Sequence, residues 1–284
     1  MKTCMFTGLF RNSDFRSAIE GAAKIGYEGI EIRFHEPHMS VDSGDGLLKE
    51  YAVMIKDSGI TPAALYSFTG NYSVLSDRDI EKTEFPNAKR VFEAACILGA
   101  PLVKISAGGP SPHKAQDYHY EKAAFWLRRT AELAGTFGLK ILFEIHEGAL
   151  VETADSAMRL VNMVGCDNAG LIHDPGNMYI SGTPYGDSAV KLLGGKIFHV
   201  HIKDIRLFGN ENAENGKNNK NGKVRWEHAQ LNTGEVDHQS VFRALREIGF
   251  TGYLSTEVNI AGLDPADAAR HEFIELRKMI DACG

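Results

Sequence analysis

The sequence predicts an α/β chain closed into a single (β/α)8 barrel, and three observations carry that prediction. Eight short apolar runs alternate with longer amphipathic segments along the 284 residues. No linker or shift in composition divides them, so one domain over residues 1–284 is expected. The first run is followed by "GLFRNSD", which lacks the G-x-G-x-x-G turn that an open nucleotide-binding sheet places after its first strand. Eight β-then-α units in a chain of this length suit the TIM-barrel class.

The expected strands run, in order, "TCMFTG" (3–8), "GIEIR" (29–33), "TPAALYSF" (61–68), "PLVKISA" (101–107), "KILFEIH" (140–146), "AGLIHD" (169–174), "KIFHVHIK" (196–203) and "GYLSTEV" (252–258). After the first comes "DFRSAIEGAAKIGY", with Phe15, Ala18, Ile19, Ala22 and Ile25 at helical spacing. Asn12, Ser13 and Asp14 offer its N-cap, and Gly26 stands where a helix-ending glycine belongs. "EKTEFPNAKRVFEAACILGA", "YEKAAFWLRRTAELAGTFGL", "DHQSVFRALREIGF" and "DPADAARHEFIELRKMI" repeat the helical pattern. After the seventh strand, "GNENAENGKNNKNGK" (209–223) is rich in Asn, Gly and Lys and has no apolar anchor. It is expected to be a mobile loop on the active-site face and a candidate lid.

The composition is that of an ordinary globular protein, 43% apolar and 24% charged, enough for a sizeable core. A net charge of −6 is the wrong sign for a nucleic-acid or anionic-membrane surface, so neither partner is expected. Cys4, Cys96, Cys166 and Cys283 form no C-x-x-C pair and read as thiols in a reducing compartment. The N-terminal residues have no apolar core of the kind a secretory leader needs, and no run approaches the ~20 apolar residues of a membrane span. A cytoplasmic protein is expected.

In "KIFHVHIKD" the alternation puts Phe198, Val200 and Ile202 on one face and His199, His201 and Lys203 on the other. The apolar face packs on helices, and the polar face lines something wet or charged. The other late strands end similarly: "LFEIHEG" brings Glu144, "LIHDPGN" brings Asp174 and "LSTEVN" brings Glu257. In a parallel barrel the strand C-termini share one face, where active sites are built. A lone strand-end glutamate is ordinarily a solvated rim residue, and a lone histidine in an apolar strand is ordinarily a hydrogen-bonded core residue. Three carboxylates and an imidazole on four consecutive strand ends are another matter, because the carboxylates repel unless a cation lies among them. The oxygen-rich set suits one divalent ion, Mn²⁺ or Mg²⁺, with Co²⁺ and Zn²⁺ as further options.

These motifs, with "GYEGIEI" at the second strand and "GEVDHQSVFRALREIGFTGYLSTE" into the eighth, resemble the xylose-isomerase-like TIM-barrel superfamily, in its sugar-phosphate isomerase and epimerase branch. The resemblance spans nearly the whole chain. It implies that Glu144, Asp174, His201 and Glu257 are the metal ligands. It also implies that Glu144 and Glu257 exchange a proton beside a metal-bound ketose carbonyl, through an enediolate. Manganese is the metal expected, the substrate is a sugar, a sugar phosphate or an inosose, and a homodimer or homotetramer is the expected assembly. His146 and Asn177 are candidate substrate contacts, or a hydrogen-bonding partner within the site and a turn residue. Lys203 is a candidate contact for an anionic group or the enediolate, or a member of a structural salt bridge, and Arg206 is a candidate contact for a carboxylate or phosphate, or a surface loop residue. Glu31 and Lys104, on inward faces, are expected to pair with each other inside the barrel, and His199 to be a hydrogen-bonded core residue.

The chain departs from the ketose 3-epimerases in one place. They tend to carry an Asn-Arg pair just past the first ligand, where this chain reads "EIHEGAL". That pattern is nearer the inosose dehydratases, and dehydration stands as the alternative to isomerisation or epimerisation. All three begin by removing a proton beside a carbonyl. A non-catalytic sugar-binding barrel is the alternative of another class. Abasic-site endonucleases share the fold, but they need further histidines and an Asp-x-His where this chain reads "KVRWEH".

Overall fold

The structure is a computed structural model that describes residues 1–208, 218–219, 222–223, 225–260 and 262–283. Its strands in chain order are β1 (Lys2–Phe6), β2 (Gly29–Phe34), β3 (Thr61–Gly70), β4 (Leu102–Ser106), β5 (Lys140–Glu144), β6 (Ala169–His173), β7 (Ile197–Ile202), β8 (Asp204–Phe208), β9 (Asn218–Asn219), β10 (Gly222–Lys223), β11 (Arg225–Ala229) and β12 (Tyr253–Thr256). Eight of them close a parallel barrel in the order β1-β12-β7-β6-β5-β4-β3-β2. These are the eight strands read from the sequence, with no end shifted by more than two residues.

The helices are α1 (Phe15–Ile25), α2 (Asp45–Ser58), α3 (Asp77–Asp79), α4 (Phe85–Leu98), α5 (Asp117–Thr136), α6 (Ala154–Val164), α7 (Pro175–Ile180), α8 (Asp187–Leu193), α9 (His238–Glu247) and α10 (Pro265–Ala282). α1 shows how the local sequence sets an element. The Asp14 carboxylate accepts the Ser17 N–H at 2.7 Å, and Gly26 ends the helix at φ 106°, a left-handed conformation that costs a glycine little. Phe15, Ala18, Ile19 and Ala22 face inward from it. The principal apolar core lies between the strands and the ring of helices. Gly170 in β6 belongs to that packing: a Cβ there would come within 2.3 Å of the Phe198 ring.

The chain does not leave the barrel as a plain loop after β7. Residues Asp204–Phe208 pair antiparallel with Arg225–Ala229 as a two-stranded ribbon, held by Asp204↔Ala229 through Phe208↔Arg225. The expected loop over 209–223 lies outside the described residues, apart from the antiparallel pair Asn218–Asn219 and Gly222–Lys223. Among the described residues no helix is long and apolar enough to cross a membrane.

Candidate metal centre

The four strand-end residues converge. Glu144 is the last residue of β5, and Asp174 follows β6 directly as the N-cap of α7, accepting the Asn177 N–H at 2.9 Å. His201 lies in β7. Glu257 follows β12 and is fixed by its N–H, which donates to the Ile202 carbonyl at 2.9 Å. One potential ligand atom from each of the four lies within 4.8 Å of all the others. Parallel strands place every such side chain at the same end of the barrel, which is why residues spread over more than a hundred positions meet.

His201 stands at the centre. Its Nδ1 is 3.2 Å from Glu144 Oε1, 3.3 Å from Glu257 Oε2 and 3.5 Å from Asp174 Oδ2. Its other nitrogen, Nε2, lies 3.0 Å from Glu31 Oε2. The Lys203 ammonium is 2.6 Å from Glu257 Oε2 and 2.8 Å from Asp174 Oδ2. Its stem lies across Gly176, where a Cβ would fall 2.5 Å from Lys203 Cγ, so the glycine of "HDPGN" leaves the lysine its path.

Burial pushes the Glu144 carboxyl up, but the His201 hydrogen bond and charge outweigh it and hold the group well below the usual carboxylate range. At Glu257 burial is likewise overcome, by the Lys203 charge and His201, and the carboxyl sits at about 2. Burial pulls Lys203 down, while Asp174 and Glu257 more than restore it and keep it protonated. Three carboxylates are crowded around one imidazole nitrogen, and their mutual repulsion calls for positive charge beyond the Lys203 ammonium. One nitrogen and several carboxylate oxygens form a donor set that a divalent cation fits. The Glu31 contact strengthens the fit, since a ligating imidazole ordinarily has its second nitrogen held by a carboxylate. A second cluster, Glu31, His199 and His201, shares His201 and lies deeper, but its groups already bond to one another.

With this geometry established, the sequence profile of the xylose isomerase-like TIM barrel family matches residues 19–279. The chain belongs to that family. Among curated proteins it is similar to the inosose dehydratase of Clostridium perfringens, 25% identical over 96% of this chain and 91% of the relative. The inosose dehydratase of Geobacillus thermodenitrificans is 29% identical over 95% of this chain and 90% of the relative. Among solved structures, a zinc-bound IolI protein superposes with a TM-score of 0.82 at 22% identity, covering 100% of this chain and 99% of that one. An L-ribulose 3-epimerase superposes with a TM-score of 0.78 at 19% identity, covering 99% and 95%. At these identities the superpositions speak for the shared barrel.

In this xylose isomerase-like barrel the remaining expected site residues divide. Asn177 joins the cluster: its side-chain amide donates to Asp174 Oδ2 at 2.8 Å and to the Ile145 carbonyl at 3.2 Å. His146 lines a cleft beside Glu144, with Nδ1 2.8 Å from the Glu147 carbonyl, so that nitrogen carries the hydrogen. Arg206 is not brought to the cluster. It sits on the β8–β11 ribbon, donates to the Thr233 carbonyl at 2.7 Å and faces Glu227 at 3.6 Å. His199 is the buried, hydrogen-bonded residue expected, 3.2 Å from Glu31.

The expected Glu31–Lys104 pair does not form. Both side chains do point inward, but Glu31 is taken by His199, His201 and, at 2.6 Å, the Ser255 hydroxyl. Lys104 turns to Glu144, 3.8 Å away. Sequence reasoning missed Tyr66, whose hydroxyl donates to Glu144 Oε2 at 2.6 Å. Its place on the inward face of β3 was the available signal.

Proposed function

We propose that this protein is a divalent-metal-dependent dehydratase that removes water from an uncharged polyhydroxylated ketone, an inosose or a close analogue. The observation that carries this reading is the asymmetry of the two glutamates. Glu257 has an ammonium 2.6 Å away, whereas Glu144 has the Tyr66 hydroxyl at 2.6 Å and its nearest lysine at 3.8 Å. Elimination needs a base on one side of the substrate and a hydrogen donor on the other. An ion held by Glu144, Asp174, His201 and Glu257, with manganese suiting so oxygen-rich a set, would supply Lewis acidity at the carbonyl.

The chain's own residues do the rest. Tyr66 holds Glu144 Oε2, leaving Oε1 to accept the proton from the carbon beside the carbonyl. Lys203, kept protonated by Asp174 and Glu257, gives a proton to the hydroxyl leaving the next carbon, which departs as water. The new double bond is conjugated with the carbonyl. Solvent then takes the proton from Glu144 and recharges Lys203. The near-full-length similarity to proteins named inosose dehydratase supports the same reading.

Epimerisation of a ketose is the second reading. It is favoured by Glu144 and Glu257 lying 3.2 and 3.3 Å from the same His201 nitrogen, so that two carboxylates flank one point. Incubating manganese-loaded protein with an inosose, D-psicose and L-ribulose in D₂O separates the readings. Loss of water with formation of a conjugated ketone is expected from the inosose. An inverted, deuterated ketose would favour epimerisation instead. Neither product nor exchange on any of them would leave a non-catalytic sugar-binding barrel.

A further inference from the structure

A cleft of about 290 Å³ reaches Glu144, walled by Tyr66, Phe68, Lys104, His146 and Gly108–Gly109, and Lys203 is not part of its lining. Lys104 is an anomaly in that wall. It comes from β4, is only 8% exposed, and lies with its ammonium 4.4 Å from the Tyr66 ring centre and 5.5 Å from that of Phe68. Glu144, the carboxylate paired with it among the described residues, is 3.8 Å away, too far for a hydrogen bond. The charge of this buried lysine is therefore balanced, while its three N–H donors lack an acceptor among the described residues. An ammonium so placed, at the wall of an open cleft, has donors to spare for whatever lies there.

We propose that Lys104 is a substrate-binding residue whose ammonium donates a hydrogen bond to a hydroxyl of an uncharged polyhydroxylated ketone lying in this cleft. The position fits. The acceptor would lie beside Glu144, within the reach of a substrate whose carbonyl is at the acidic cluster. Phe68 is 46% exposed at the cleft and offers an apolar face for the C–H side of a sugar or cyclitol ring. The electrostatics select an uncharged ligand. Lys104 is the one lysine or arginine among the residues lining the cleft, and its charge is met by Glu144, while Glu147 adds a second carboxylate. A phosphate or carboxylate here would face two like charges. The inference rests on the proposed reaction for its ligand class, and it assigns a specificity determinant which that reaction does not require.

The test pairs Lys104→Met with Lys104→Gln in manganese-loaded protein. Methionine keeps the length and apolar contacts and removes a buried charge, so the fold should hold, as a thermal melt and metal analysis will show. Titration calorimetry with an inosose, D-psicose, D-fructose and D-fructose 6-phosphate then reads binding apart from turnover. Expected is at least ~10-fold weaker binding of the uncharged ketone by Lys104→Met, partial recovery by Lys104→Gln, and weaker parent binding of the phosphate ester than of D-fructose. Binding by Lys104→Met within twofold of the parent overturns the assignment, even where the parent dehydrates its substrate. Lys104-dependent binding without turnover upholds the subsite and overturns the proposed reaction. A parent that binds none of the four overturns both.

Discussion

Glu31 Oε2 lies 3.0 Å from His201 Nε2, joining the second strand to the seventh across the barrel interior. The same carboxylate accepts the Ser255 hydroxyl at 2.6 Å and meets His199 Nε2 at 3.2 Å, and it is completely buried. A carboxylate so placed accepts from the Nε2 hydrogen and leaves Nδ1 facing Glu144, Asp174 and Glu257, where it would give its lone pair to a bound metal ion. If His201 is a metal ligand, Glu31 fixes both its tautomer and its ring orientation.

Glu31→Gln is therefore expected to weaken metal binding by roughly 10–100-fold, the range seen when such supporting partners are lost. Equilibrium dialysis against Mn²⁺ or Zn²⁺ measures it without reference to activity. His201→Ala serves as the reference and should retain the least metal. Metal content in His201→Ala equal to that of the parent would sink the ligand assignment itself, and unchanged affinity in Glu31→Gln would sink only the supporting role.

A second prediction concerns stability and lies away from the metal centre. Glu272 in α10 is fully buried, with Oε1 accepting the Leu231 N–H at 3.1 Å and Oε2 without a hydrogen-bond partner among the described residues. Burial pushes its carboxyl up to about 8, against the Leu231 N–H and with the help of Asp204 and Glu275. The folded state thus keeps a proton that the unfolded chain gives up above its ordinary value of 4.5. By linkage, this group's contribution is intact below that value, is lost progressively as pH rises towards about 8, and changes little beyond. Glu272→Gln removes the titration. Its melting temperature should exceed the parent's by several degrees at pH 8.5 and approach it near pH 5. Parallel melting curves for the two proteins across this range would contradict the assignment.

Much of the fold and the centre of the site were legible because they depend on periodicity. Alternation along β7 put His199 and His201 on one face, and strand-end position alone gathered Glu144, Asp174 and Glu257. What stayed hidden depends on depth and azimuth inside the barrel. Glu31 and Lys104 both face inward as expected, yet Glu31 reaches His201 across the interior and Lys104 lies against Tyr66 and Glu144. Tyr66 in "TPAALYSF" looks like any strand aromatic until its hydroxyl meets a residue 78 positions away. The β8–β11 ribbon escaped because Asp204 looked like the polar end of a strand. Its carboxylate in fact accepts the N–H groups of Gly234 at 2.9 Å and Val236 at 3.1 Å, tying the end of β7 to the segment that follows the ribbon.

Lys203 gives the third prediction. Its ammonium spans Asp174 and Glu257, and in the dehydratase reading it supplies the proton that leaves with the hydroxyl. Lys203→Met should slow net water loss by at least ~10²-fold, the lower end of what a positioned acid contributes. It should at the same time leave exchange of the substrate's α-hydrogen with D₂O running, because that step belongs to Glu144. A variant that loses exchange and elimination equally would place Lys203 in the deprotonation step or in the integrity of the site.

The last prediction separates the two glutamates. Glu144 Oε2 is held by Tyr66, and its other oxygen faces the cluster, so it is the base in the dehydratase reading. Glu257 is paired with Lys203, which in the same reading protonates the departing hydroxyl. Glutamine in either place keeps an oxygen for a metal ion but cannot carry the proton, so metal content should fall less than rate. Glu144→Gln should cut both α-hydrogen exchange and product formation by ~10²-fold or more. Glu257→Gln should cut product formation to a similar degree but spare exchange, because proton removal does not pass through it. An epimerase behaves differently. There each carboxylate serves one face of the same carbon, so each variant blocks inversion yet retains exchange from the face it still serves. Measuring deuterium incorporation and product together, on the inosose and on D-psicose, distinguishes these patterns. Full activity in both variants, on a substrate the parent turns over, would remove the two-carboxylate chemistry from this site altogether.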